Sequence, residues 1–191
     1  MDCSSIDKEG IQPYFTVAKY MYEYTGDAKY LDYARKAAWY FASWLYIHNP
    51  IYEADDDMVV YNIKPAGGNI VGVEHPALDE YGALLISEYF WLARIDNEPL
   101  WRDVAELIWR NGTQGFAYEG RTMWCGLERP VGGKGEAIFP SEWSKYASVG
   151  NKRGSINNHL TAWGGIYRTA SIYELSDEDL QWLKESTKPN K

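Results

Sequence analysis

Apolar residues recur at helical spacing in three separated stretches of the chain. From about Glu9 to Tyr24, Ile11, Tyr14, Phe15, Ala18, Met21 and Tyr22 mark one helix. Pro13 sits in its first turn, where proline is tolerated. Thr25-Gly26-Asp27 predicts a left-handed stop at Gly26 and a new N-cap at Asp27. A second helix is predicted from about Ala28 to Ile47, with Tyr30, Leu31, Ala34, Ala38, Phe41 and Leu45 on one face. The plan repeats over a helix from about Ala77 to Ile95, a break at Asp96-Asn97-Glu98, and a helix from Pro99 to Arg110. A third unit is predicted from Asn158 to Leu175, followed by the helix-start signature Ser176-Asp177-Glu178-Asp179 and a short last helix.

Tyr30, Trp101 and Trp182 occupy matching places after the breaks, at offsets of 71 and 81 residues, and Ala34 falls on Ala105 at the first offset. The pattern is a degenerate helical-hairpin repeat, far longer than the roughly 34 residues of a tetratricopeptide unit. The expected fold is therefore all-α and a single domain over 1–191. Its antiparallel hairpins lie at about 9–48, 77–111 and 158–185. Two long loops, 49–76 and 112–157, separate them, and loops of that length are usually functional. Short strands are predicted at Met58–Ile63 and Phe116–Tyr118.

The net charge of −8 argues against a sequence-independent nucleic-acid binder and against docking on an anionic membrane surface. No apolar run reaches the roughly 18 residues of a membrane span, and the start Met1-Asp2-Cys3-Ser4-Ser5 does not read as a signal peptide. Cys3 and Cys125 make no disulfide framework or zinc spacing, which leaves the compartment open. Aromatic residues form 16% of the chain, an excess that asks for a use beyond packing.

The helix end Tyr24-Thr25-Gly26-Asp27, followed by Lys29-Tyr30-Leu31 and Ala34, resembles the hairpins of (α/α)6-toroid carbohydrate enzymes, the six-hairpin glycosidases and their relatives. The stretch Gly68-Asn69-Ile70-Val71-Gly72-Val73-Glu74-His75-Pro76-Ala77-Leu78-Asp79, entering an inner helix, is similar to that group as well. The resemblance implies inner helices wrapped by outer ones, with sugar bound in a funnel at one end. About two and a half to three hairpins are counted here, so the chain is similar to an incomplete toroid, its C-terminal half. Self-association, or a missing half of the ring, then becomes an expectation.

With inner helices starting near Asp7, His75 and Asn158, their N-termini share one end of the ring. Glycoside hydrolysis needs two carboxyls, one protonated and one ionised. Glu74 and Asp79 are the leading catalytic candidates, at a loop-to-helix junction among glycines and apolar residues, with Asp7 and Glu9 behind them. The bland alternative for Asp7 and Asp79 is a capping or first-turn charge. His75 and His159 fall at inner-helix starts, where a histidine can bond a sugar or act as base, or simply be a satisfied buried residue. Trp124, Trp143 and Trp163 are candidate stacking platforms, and Arg121 beside Trp124 could meet a carboxylated sugar; loop anchoring is the alternative.

No cofactor and no metal site is expected. His75 and Asp79, at i and i+4, lack a third ligand, and Asp55-Asp56-Asp57 lacks the spacing of an EF-hand. Asn111-Gly112-Thr113 is a glycosylation sequon. The expected function is a carbohydrate-active protein, foremost a glycoside hydrolase using paired carboxylates. The alternatives are a sugar epimerase or polysaccharide lyase on the same fold, and a non-catalytic helical-repeat binding module.

Overall fold

The computed structural model describes residues 8–72, 75–79, 81–124, 127–128, 130–133 and 175–186. The chain is mostly helical, with a small two-stranded antiparallel sheet. In order come α1 (Ile11–Thr25), α2 (Ala28–Ala42), the short α3 (Asp57–Val60), β1 (Asn69–Gly72), β2 (His75–Asp79), a 3-10 helix (Tyr81–Leu85), α4 (Ile86–Asp96), α5 (Pro99–Gly112), β3 (Met123–Trp124), β4 (Leu127–Glu128) and α6 (Asp177–Ser186). The predicted third inner helix, from Asn158 to Leu175, lies almost wholly outside the described residues.

The hairpin turns follow from their capping residues. Gly26 takes a left-handed φ of 68°, which lets its N–H donate to the Tyr22 carbonyl and end α1. The Asp27 side chain accepts the Lys29 N–H and opens α2. Seventy-one residues on, Asn97 repeats the left-handed stop at φ 50° and Glu98 accepts the Leu100 N–H. The third start is capped by Ser176, whose hydroxyl accepts the Asp179 N–H while the Asp179 carboxylate accepts the Ser176 N–H. The repeat unit in cap register is therefore 78 residues, Glu98 to Ser176, rather than the 81 read from the tryptophans.

The packing partners give each helix a direction. Gln12 meets Tyr81, Thr16 meets Glu88 and Tyr22 meets Trp91, so α1 and the Tyr81–Asp96 segment run parallel. Arg35 meets Asp96 and the Ala38 carbonyl accepts the Tyr89 hydroxyl, so α2 runs against α4. Arg94 pairs with Asp179, Phe90 packs on Trp182 and Arg110 reaches Ser186, which sets α6 against α4 and along α5. First helices are thus parallel to each other, and second helices are parallel to each other. The core between them holds Phe15, Ala34, Ala38, Phe41, Tyr89, Phe90, Trp101, Ala105, Ile108 and Leu183. Ala34 and Ala105, matched at the 71-residue offset, are both fully buried.

Four predicted elements differ. The second helix ends at Ala42, not Ile47, because Leu45 and Tyr46 turn to bond another segment. The Tyr46 N–H donates to the Gly68 carbonyl, its carbonyl accepts the Gly67 N–H, and Leu45 bridges Asn69. The helix expected from Ala77 begins only at Tyr81; residues 75–79 form β2 instead, paired with β1 through Asn69–Asp79 and Ile70–Leu78. The expected strand Met58–Ile63 is a helical turn, started by Asp56, whose carboxylate accepts the Met58 N–H at 2.8 Å. Around Phe116–Tyr118 only a single bridge, Tyr118–Arg121, forms.

The sequon asparagine has a structural job. Asn111 is buried, and its Nδ2 donates to the carbonyls of Lys64, Pro65 and Ala66 at 2.8, 3.0 and 3.1 Å. It therefore ties the long first loop to the end of α5. Asn111→Ala removes all three bonds, leaving the Lys64 carbonyl to Gln114 Nε2 and the Pro65 carbonyl to the Gly68 N–H, and we expect a loss of about 1–3 kcal/mol in urea unfolding. Folded protein offered to an oligosaccharyltransferase is expected to gain no glycan mass at Asn111.

Candidate functional site

Two chain segments converge where α1 begins and β2 ends. Residues 69–72 and 75–79 pair as antiparallel strands, and the strand end delivers Asp79 to the start of α1. There the Lys8 ammonium lies 2.6 Å from Asp79 Oδ2, and both side chains are 0% exposed. Lys8 also lies 3.7 Å from Glu9 Oε1 and 4.4 Å from the centre of the Tyr81 ring. Asn69 Nδ2 approaches Asp79 Oδ2 at 3.5 Å, and Asn69 Oδ1 accepts the Gly82 N–H at 3.4 Å. A buried ion pair of this kind needs a full set of partners, since each charge loses its water.

Lys8 and Asp79 are 71 residues apart, which is the hairpin offset. Lys8 precedes α1 and Asp79 ends β2, so the ion pair joins the entries to the two parallel segments. The polar contact continues along the same seam. Gln12 Nε2 donates to the Tyr81 carbonyl at 3.1 Å. One helical turn on, the Thr16 hydroxyl donates to Glu88 Oε1 at 2.7 Å, and Ser87 donates to Glu88 Oε2 at 2.8 Å. Gln12, Ser87 and Glu88 are all buried.

The sequence-based candidates distribute unevenly around this seam. Asp79 and Glu9 are brought together through Lys8; Asp79 is sealed, whereas the Glu9 side chain is 48% exposed. Asp79 is the last residue of a strand. His75 lies in the same strand, not at a helix start, so the i, i+4 chelating geometry of a helix does not exist there. Trp124 lies in β3, opposite Leu127. Arg121 is half-buried, with its guanidinium 5.2 Å from the centre of the Tyr61 ring, beside the small cluster of Met58, Ile63 and Ala117. Asp7, Glu74, His159, Trp143 and Trp163 lie outside the described residues. Among the described residues, no group of three or more His, Cys, Asp or Glu side chains could hold a metal ion.

Lys8, Gln12, Thr16 and Glu88 escaped the sequence reading. Their signal was available: Gln12, Thr16 and Lys19 step along α1 at helical spacing inside an otherwise apolar helix. A polar stripe of that kind marks a buried polar contact rather than a solvent face. Among the described residues, no helix is long and apolar enough to cross a membrane. No protein-family model, curated protein or solved structure matches the chain.

Proposed function

We propose that this chain is a carbohydrate-active protein built on (α/α) hairpins, and that it hydrolyses a glycosidic bond with paired carboxylates at the end where α1 starts. The observation that supports this most is the meeting of the α1 start with the β2 end, because it draws residues of two hairpins to one end of the bundle. Parallel first helices and parallel second helices are also the arrangement an α/α toroid requires. Asp79, sealed against Lys8, serves in this reading as a positioning residue. Glu74, in the connection from β1 to β2, is the leading carboxyl for the chemistry, with Glu9 or Asp7 as its partner. His75, His159, Arg121, Trp124, Trp143 and Trp163 are proposed to line the sugar site.

The test is a screen of glycosides and polysaccharides followed by variants. Hydrolysis adds water, a lyase creates an ultraviolet-absorbing double bond, and an epimerase leaves the mass unchanged. Glu74→Gln is expected to lower turnover of the cleaved glycoside by about 10²–10⁴-fold with the fold intact. Unchanged hydrolysis in both Glu74→Gln and Glu9→Gln would overturn the assignment. A second reading is a non-catalytic helical-hairpin binding module, favoured by the complete burial of Asp79. Carbohydrate binding without any product would select it.

A further inference from the structure

We draw no further inference here: the strongest candidate, the partly exposed aromatic flank of the α1–α2 hairpin around Tyr14, Val17 and Tyr33, is an apolar face for which nothing in the structure shows what covers it.

Discussion

Replacing Asp79 by leucine is expected to destabilise the protein by about 3–5 kcal/mol, because it leaves the Lys8 ammonium buried with its nearest counter-charge gone. Among the described residues the geometry gives that ammonium little else. Asp79 Oδ2 is 2.6 Å away, Glu9 is 3.7 Å away and half-exposed, and the Tyr81 ring offers only its face. Deleting one partner of a dry ion pair costs more than the pair contributes, since the remaining charge keeps its desolvation penalty. The double variant Lys8→Met/Asp79→Leu removes both charges and is expected to recover most of the loss. Urea unfolding of the wild type, both single variants and the double variant measures this as a thermodynamic cycle. Asp79→Leu within about 0.5 kcal/mol of wild type would contradict the burial of the pair. The cycle also separates stability from chemistry. Where the proposed glycoside hydrolysis is detected, a folded double variant that keeps it assigns the pair to stability alone, while one that loses it returns a positioning or chemical role to the pair.

The ion pair also marks where sequence reasoning reached its limit. The helices were legible because their determinants are local. Asp27 and Glu98 cap within two residues of themselves, Ser176 caps within three, and the apolar stripes repeat every turn. The β1–β2 ladder was not legible, because its pairing is set between residues 69 and 79 rather than within either run. His75-Pro76-Ala77-Leu78-Asp79 reads as a helix start, with proline early and an acid nearby, until β1 claims its backbone bonds. The expected meeting of two segment starts at one end survived that error, because it follows from hairpin alternation and not from the type of element that enters α4. The expected placement of Asp79 at a loop-to-helix junction changes, since Asp79 ends a strand. A strand end directs the carboxylate to Lys8, a residue that no sequence motif singles out. Opposite charges at matching repeat positions were the available clue, since the entries to two parallel segments lie at one end.

Gly67→Ala is expected to cost about 3 kcal/mol or more, from roughly 1–2 kcal/mol for a left-handed alanine and a further 1–3 kcal/mol for the overlap its methyl group creates. Gly67 has φ of +87°, and a Cβ there would lie 2.0 Å from the Leu107 carbonyl oxygen and 2.5 Å from its carbon. Both are backbone atoms of α5, so no rotamer change relieves the contact. Gly26 supplies the control. Its φ is also positive, at +68°, but no atom lies within 4 Å of its Cβ position, so Gly26→Ala carries the conformational term alone. Chemical denaturation of the two variants therefore isolates the close approach of loop to helix, and equal losses would refute it. The consequence of the larger loss reaches the candidate site. The Gly67 N–H donates to the Tyr46 carbonyl at 2.8 Å, and Asn111 clamps the three residues before it. Two residues further, Asn69 lies beside Asp79 and pairs β1 with β2. Pushing Gly67 off α5 displaces β1, and with it the strand that holds Asp79 against Lys8. Amide exchange in Gly67→Ala is accordingly expected to rise first in residues 69–79, ahead of α1 and α2.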